Sequence, residues 1–226
     1  MNSKGTSTDA SAGLPEYYSR RAAEYESIYQ RPDPARAAEL ESIGAEITCL
    51  FRGRRVLELA CGTGYWTQRV STVADFVLGL DASEGMLAQA RMKSFLGPVE
   101  LRVGDAYAPA VRGAGCDAAL ANFWFSHVPK ARVEDFLDAL EKQVKPGSVI
   151  FMADNMLVEG VGGELEAGPD GGDSFKKRTL QDGTEFRVLK NYYEAEALRG
   201  IFGRRGEEVR LEVGKSYWWV SYRTKG

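Results

Sequence analysis

Hydrophobic side chains in the first fifty residues recur three or four positions apart, which is the spacing of one face of an α-helix. The first such stripe contains Tyr17, Tyr18, Tyr25, Ile28 and Tyr29. Pro32 and Pro34 interrupt it, so we expect one amphipathic helix that ends before them. A second stripe begins at Ala35, ends near Gly53 and contains Leu40, Ile43, Ile47 and Leu50. Two helices are therefore predicted ahead of the first strand.

From residue 54 the pattern changes to short apolar runs that alternate with helical segments. The runs read VLELA, FVLGLD, VELRVGD, CDAALANF and SVIFMAD. One helical segment ends near Ser71, and two others extend over Glu84–Lys93 and Arg132–Val144. Strand, glycine turn, helix and strand in this order form a βαβ unit. We therefore expect a doubly wound α/β sheet with five parallel strands.

The last third of the chain departs from this alternation. Residues 160–172 contain six glycines, which predicts a flexible surface loop. The runs FKKRTL and TEFRVLK flank Gln181-Asp182-Gly183, a hairpin signal. After a helix over Glu194–Phe202, the strands EEVRLEV and SYWWVSYR are joined at Gly214-Lys215. The predicted fold is a mostly parallel, seven-stranded Rossmann-like sheet with an antiparallel final strand.

Charge and composition narrow the function classes. The 226 residues include 29 basic and 32 acidic side chains, so no basic excess favours a nucleic-acid partner. One histidine and three cysteines occur without the spacing of a zinc site, and we expect no metal. Apolar runs are too short to cross a membrane. The odd number of cysteines and the polar N-terminus lead us to expect a reduced, cytoplasmic protein of one domain.

Candidate ligand residues follow the predicted strands. Glu58 lies in the first strand and is followed by the turn Ala60-Cys61-Gly62-Thr63-Gly64. Small residues there let the backbone approach a ligand, and the next helix begins with free N–H groups. Asp81 ends the second strand, where a carboxylate can accept hydrogen bonds from the ribose hydroxyls of an adenosine. Asp105 ends the third strand and could accept a hydrogen bond from an adenine amino group. These positions predict a nucleoside cofactor.

The charge of this site distinguishes two cofactor classes. A dinucleotide turn needs a third glycine, but Thr67 stands in its place. Glu58 would repel a pyrophosphate and suits a sulfonium or an ammonium group. No Tyr-x-x-x-Lys pair of a short-chain oxidoreductase is present. A cationic cofactor is therefore favoured, with an NAD(P)-dependent oxidoreductase as an alternative.

The residues of the turn and the two acids resemble the class I S-adenosylmethionine-dependent methyltransferases over residues 54–154. The resemblance implies that Glu58 and the backbone of Ala60 to Gly64 surround the methionine part of S-adenosylmethionine, with Ala60 replacing the usual first glycine. It places Asp81 on the ribose, Asp105 and Ala106 beside adenine, and Met86 over the adenine face. The full set of expected cofactor-binding residues is Tyr18, Arg21, Glu58, Ala60, Gly62, Gly64, Trp66, Asp81, Ala82, Met86, Asp105, Ala106 and Asn122.

Four further motifs resemble the small bacterial natural-product methyltransferases typified by the phosphonate O-methyltransferase of dehydrophos biosynthesis. They are YYxxRAxEY from residue 17, GYWT from residue 64, SHVP from residue 126 and RTLQDG from residue 178. This resemblance implies that the N-terminal tyrosine helix and the hairpin form a lid over the active site. The expected substrate-binding residues are Tyr25, Tyr29, Trp124, His127, Arg178 and Lys190, and His127 is the catalytic candidate.

The roles of these residues stay open at this point. His127 is either a general base or a group that only holds an anionic acceptor. Arg178 could bind an oxyanion through two hydrogen bonds, or belong to a solvated face. Tyr17, Tyr18, Tyr25 and Tyr29 could equally be core packing.

The function predicted from the sequence is methyl transfer from S-adenosylmethionine to a small, anionic acceptor, most simply to oxygen. The alternatives are N-methylation of a small amine or heterocycle, and a cofactor-binding module without catalysis. Oligomeric state is open. We expect a disordered tail over residues 1–13 and one methyltransferase domain over residues 14–226. Its predicted parts are a helical cap (14–52), a cofactor-binding core (54–154), a loop with the hairpin lid (155–192) and a terminal helix with strands (193–226).

Overall fold

The computed structural model describes residues 13–29, 32–161, 163–169 and 171–226. The tail expected over residues 1–13 lies outside these ranges except for Gly13, and Gly162 and Asp170 of the glycine-rich segment are likewise outside them.

The N-terminal tyrosine segment forms two kinds of helix rather than one. An α-helix, α1 (Leu14–Arg21), continues as a 3-10 helix (Ala22–Tyr29). A 3-10 helix repeats every three residues, so Tyr25 and Ile28 share a face. Amphipathic spacing alone does not distinguish the two helix types.

The second predicted helix is α2 (Pro34–Leu50). The side chain of Asp33 caps it and accepts hydrogen bonds from the backbone N–H groups of Ala35 and Arg36. Pro34 occupies the first turn, where its missing N–H is not needed. Both features fix where the helix begins.

Ten strands are found in the described ranges. They are β1 (Arg55–Leu59), β2 (Phe76–Asp81), β3 (Val99–Val103), β4 (Ala118–Asn122), β5 (Val149–Asn155), β6 (Leu165–Ala167), β7 (Ser174–Thr179), β8 (Glu185–Leu189), β9 (Glu207–Val213) and β10 (Tyr217–Arg223). Seven of them form one sheet in the order β3-β2-β1-β4-β5-β10-β9. Strands β1 to β5 are parallel, and β10 is antiparallel to both β5 and β9. This confirms the predicted sheet.

Helices cover both faces of the large sheet. After α2 these are α3 (Tyr65–Val70), α4 (Glu84–Arg91), α5 (Val133–Glu141) and α6 (Ala195–Phe202). Side chains of α2 and α3 pack with Val56 and Ala153 on one face. Side chains of α5 and α6 pack with Leu57 and Met152 on the other. Neighbouring strand residues therefore point to different cores, as the alternation of a strand requires.

The predicted hairpin is part of a three-stranded antiparallel sheet, β6-β7-β8, hereafter the small sheet. Its first strand comes from the segment expected to be a flexible loop, so that expectation was wrong for Leu165–Ala167. Lys176 Nζ donates to the carbonyls of Val161 and Gly163 and fixes this segment on β7. The glycine content of a segment does not reveal such contacts with a distant strand.

The small sheet packs against α1. Leu14 and Tyr17 of the helix form a buried cluster with Val188 of β8 and with Leu180, the residue that follows β7. An exposed ion pair of 2.5 Å joins Arg20 to Asp182 in the turn between β7 and β8.

Within the described ranges, no helix has both the length and the apolar character needed to cross a lipid bilayer.

Candidate active site

A cavity of about 400 Å³ lies at the carboxyl edge of the large sheet, hereafter the first cavity. Its floor is formed by the ends of β1 and β4. The chain continues from these two strands toward opposite sides of the sheet, and such a point is the usual ligand position in an open α/β sheet. A volume of this size suits a small-molecule cofactor. The lining consists of Leu14, Pro15, Tyr18, Tyr25, Ala60, Gly62, Asp81, Ala82, Ser83, Met86, Gly104, Asp105, Ala106, Tyr107, Asn122, Phe123, Trp124, His127 and Arg132.

The turn after β1 adopts a left-handed backbone at alternate residues. Ala60, Gly62 and Gly64 have φ angles of 52°, 58° and 76°. Glycine adopts this region freely, whereas alanine pays roughly 1–2 kcal/mol. A Cβ atom on Gly62 would lie 3.2 Å from Cε of Met86, so the turn also needs a small residue there. The geometry explains why the sequence is rich in small residues at this point.

Asp81 holds this turn against the end of β2. Its carboxylate accepts hydrogen bonds of 2.8 Å from the backbone N–H groups of Gly62 and Ser83. Burial raises the pKa of Asp81, while these two donors act in the opposite direction. Each carboxylate oxygen keeps a further lone pair, and the side chain lines the first cavity. Asp81 can thus accept two more hydrogen bonds from a ligand.

Asn122, at the end of β4, lines the same cavity and has unsatisfied polar atoms. Its side-chain nitrogen and oxygen are buried and have no hydrogen-bond partner among the described residues. Nε1 of Trp124 is likewise buried without a hydrogen-bond partner among the described residues. Buried polar groups normally have partners, so Asn122 and Trp124 are candidates to turn a polar atom toward a ligand in the cavity that both line.

These features test the fit of S-adenosylmethionine. Acceptors for ribose hydroxyls and for an exocyclic amine are present at Asp81 and Asp105. An apolar side chain, Met86, covers one wall, and Asn122 offers both a donor and an acceptor. The donor set and volume therefore fit an adenosine with an amino-acid tail.

Four residues expected at the cofactor do not line the first cavity. Glu58 is 2% exposed and accepts a hydrogen bond of 2.6 Å from the Thr67 hydroxyl. Burial raises the pKa of Glu58 to about 8. Gly64 caps α3, and Trp66 stacks on Phe123 behind the cavity wall. Arg21 lines a different cavity, described next.

A second, smaller cavity of about 90 Å³ adjoins the first. Four residues line both: Tyr18, Tyr25, Phe123 and His127. The other residues of the second cavity are Tyr17, Arg21, Ile28, Tyr29, Arg36, Asn155, Met156, Val158, Val161, Arg178, Val188, Lys190, Tyr192 and Tyr217. This described lining holds four cationic side chains and no carboxylate, so it favours an anion.

His127 lies at the boundary of the two cavities in a defined tautomer. Its Nδ1 is 2.7 Å from the carbonyl oxygen of Leu189, which only accepts, so Nδ1 carries the proton. Its Nε2 then accepts the hydrogen bond of 2.7 Å from the Tyr18 hydroxyl. Burial, and next the charge of Lys190, lower the pKa of His127 to about 3. A neutral histidine of such low basicity is a poor proton acceptor at pH 7.

Lys190 is held in place by a buried acid. Its Nζ donates to Ser126 Oγ at 2.6 Å and pairs with Asp154 at 3.2 Å. Burial alone would raise the pKa of Asp154, but the charge of Lys190 brings it below its usual value. Burial lowers the pKa of Lys190. The pair fixes a cationic nitrogen in the wall of the second cavity.

The structure divides the expected residues differently from the sequence. Trp124, expected at the acceptor, lines only the first cavity, and Arg21, expected at the cofactor, lines only the second. Tyr29, Arg178 and Lys190, which were also expected at the acceptor, line only the second cavity. Tyr25 and His127 line both.

Several lining residues carried no sequence signal. Arg36 and Tyr217 belong to a helix and a strand that read as ordinary scaffold. Phe123 has a φ angle of 59°, a strained value for an aromatic residue, and its ring reaches both cavities. Backbone strain of this kind is typical of ligand sites but is invisible in a sequence.

Comparisons with known proteins show similarity to methyltransferases. A family model described as "Methyltransferase domain" matches residues 56–147. A solved structure described as "DhpI-SAM-HEP complex" is 32% identical with a TM-score of 0.75, and the match covers 96% of this chain and 98% of that one. Another, described as "DhpI-SAH complex structure", is 32% identical with a TM-score of 0.73 and covers 93% and 95%.

A curated relative is the "Ubiquinone biosynthesis O-methyltransferase" of Rhizobium rhizogenes. It is 34% identical over 105 residues, which are 46% of this chain and 42% of the relative. The match thus spans less than half the length of that relative, whereas the DhpI structures match nearly end to end.

Proposed function

The chain belongs to the class I S-adenosylmethionine-dependent methyltransferases, and on that premise we propose that it methylates an oxygen of a small anionic acceptor. The observation that carries this proposal is the second cavity, whose described lining has four cations and no carboxylate. It adjoins the first cavity at His127, so an acceptor bound there would lie next to the cofactor.

The cofactor-binding residues are proposed from the lining of the first cavity. Asp81 would accept the ribose hydroxyls, and Asp105 with Ala106 would border adenine. Asn122 would bind through its two unsatisfied atoms. The remaining members of this proposed set are Tyr18, Ala60, Gly62, Ala82 and Met86. When bound, S-adenosylmethionine supplies an electrophilic methyl group on a sulfonium.

The charge of the second cavity fits an acceptor that needs no base. A carboxylate or phosphonate oxygen is already anionic at pH 7 and can attack without losing a proton. Arg178 and Lys190 would hold it by charge-assisted hydrogen bonds. Close and oriented binding of the two reactants then accounts for most of the rate. This fits His127, which has too low a pKa to act as the base.

His127 and Tyr18 would act as positioning groups. Their hydrogen bond fixes both rings at the boundary of the cavities. The Tyr18 hydroxyl donates to His127, so its oxygen keeps a free lone pair toward the cavities. Neither ring needs to change protonation state during transfer.

Helix α1, the 3-10 helix and the small sheet would exclude water from the site. Leu14 and Tyr18 line the first cavity from α1. Glu26 of the 3-10 helix accepts a hydrogen bond of 2.5 Å from Thr63 in the glycine turn. We propose that residues 14–226 form one domain in which these segments are the lid.

The three cysteines are unpaired, which is typical of the cytoplasm.

Methyl transfer from labelled S-adenosylmethionine to a panel of small molecules tests the proposal. The panel contains methylphosphonate, propionate, phenol and propylamine. We expect labelling of at least one of the two oxyanions and none of phenol or propylamine. Labelling confined to phenol or the amine would contradict it. If the cofactor binds but none of the four is labelled, a binding module without catalysis gains support.

A further inference from the structure

The second cavity contains a cation, Arg36, to which the proposed transfer assigns no contact with the acceptor. Arg36, in the first turn of α2, lines it with its guanidinium carbon 4.5 Å from the ring centre of Tyr217. Its Nε is buried without a hydrogen-bond partner in the described ranges. Because Nε is out of reach of the cavity, an occupant would meet the two terminal nitrogens of the guanidinium.

The acids near Arg36 in the chain are engaged elsewhere. Asp33 caps α2 through the backbone N–H groups of Ala35 and Arg36. Glu39 accepts three backbone hydrogen bonds from residues 215–217. Neither carboxylate is therefore directed at the guanidinium. Neither of these two acids offsets the positive charge of Arg36, which is therefore available to an occupant of the cavity.

Arg36 and Lys190 belong to opposite sides of the large sheet. Lys190 pairs with Asp154, which shares a face with Met152 and the core under α5 and α6. Tyr217, below Arg36, packs with Ala153 in the core under α2. The second cavity thus crosses the end of β5 and has one cationic site on each side.

We infer that the acceptor carries two anionic groups, one held by Lys190 and Arg178 and the other by Arg36 over Tyr217. This inference rests on the proposed function and adds a substrate class to it. A guanidinium binds carboxylate and phosphonate oxygens in its planar fork, and an aromatic ring beneath it holds its plane. The cavity of about 90 Å³ limits the spacer between the groups to a few atoms. The acceptor is therefore a compact diacid, methylated at the end beside His127.

Two chemically matched probes separate a diacid from a monoacid. The first is 3-phosphonopropionate, and the second is butylphosphonate, in which a methyl end replaces the carboxylate. Their affinities are measured by calorimetry on protein saturated with S-adenosylhomocysteine, so that binding is read without turnover. We expect the diacid to bind the unmodified protein at least tenfold more tightly.

Variants of Arg36 assign that preference to its guanidinium. Arg36→Gln should abolish the preference while leaving the affinity for butylphosphonate within about twofold, which also shows that the variant is folded. Arg36→Lys keeps the charge without the fork and should retain part of the preference. Arg52→Gln removes an exposed arginine beyond the end of α2 and should change neither affinity.

The other outcomes overturn the second anionic site. They are equal affinity of both probes for the unmodified protein, a preference that survives in Arg36→Gln, or binding of neither probe. In the first two cases butylphosphonate still binds, and the proposed methylation of a monoanion is untouched. In the last case the labelling panel with methylphosphonate and propionate decides the proposed function separately.

Discussion

The Tyr18 hydroxyl donates a hydrogen bond of 2.7 Å to Nε2 of His127, although the two residues are 109 positions apart. The opposite nitrogen, Nδ1, donates to the carbonyl of Leu189 at 2.7 Å. Both ring nitrogens are thus engaged, and because burial lowers the pKa of His127 to about 3, the imidazole is neutral at pH 7. This arrangement favours a histidine that orients an acceptor over one that removes its proton.

His127 should make the protein less stable in mild acid. Its pKa is about 3 in the folded protein and near 6.5 when unfolded, so below pH 6.5 the unfolded chain takes up the proton first. Between pH 7 and pH 5 this group should reduce the free energy of unfolding by about 2 kcal/mol. Urea unfolding of the unmodified protein and of His127→Gln at both pH values measures it. An equal loss in both proteins would refute the buried neutral histidine.

Asp81 should control cofactor affinity. Asp81→Ala removes a carboxylate that lines the first cavity and also deprives the N–H groups of Gly62 and Ser83 of their acceptor. We expect S-adenosylhomocysteine to bind at least tenfold more weakly by calorimetry, since about 1.4 kcal/mol corresponds to tenfold. Asp75→Ala, at an exposed site before β2, is the matched control and should bind normally. Unchanged affinity in Asp81→Ala would remove Asp81 from the site.

Arg178 should act on the acceptor and not on the cofactor. It lines the second cavity only, whereas its neighbour Lys177 points to the other side of β7 and pairs with Glu185. Arg178→Gln should raise the KM for an anionic acceptor tenfold or more and leave the cofactor Kd within about twofold, because a charge-assisted hydrogen bond is lost. Lys177→Gln should change neither. Equal effects of Arg178→Gln on both ligands would contradict this assignment.

Glu58 should release a proton when a cationic cofactor binds. Burial raises the pKa of Glu58 to about 8, so the side chain is mostly protonated at pH 7 in the free protein. A sulfonium in the adjoining cavity favours the carboxylate, whereas the neutral thioether of S-adenosylhomocysteine does not. Calorimetry in two buffers of different ionisation enthalpy should show more proton release for S-adenosylmethionine. The difference should vanish in Glu58→Gln, and equal release for both ligands would contradict the electrostatic role.

Local patterns were sufficient for the core of the fold. Apolar runs separated by helical segments predicted β1 to β5, because each run is long enough for one buried strand. The carboxyl ends of parallel strands meet at one sheet edge, so Asp81 and Asp105 were expected in one site, and both line the first cavity. Strand β6 was missed because it depends on pairing with β7 and not on its own periodicity.

By itself, the sequence determined the order along the chain of the strands in the large sheet, the turn around Gly62 and Gly64, and the acids at the strand ends. The tertiary structure decided that Trp124 borders the first cavity, that Arg36 enters the second, and that His127 is neutral. The physical reason is that periodicity reports only the near neighbours of a residue along the chain. Cavity membership and pKa depend on burial and on charges brought together from distant segments, as Tyr18, Leu189 and Lys190 are around His127.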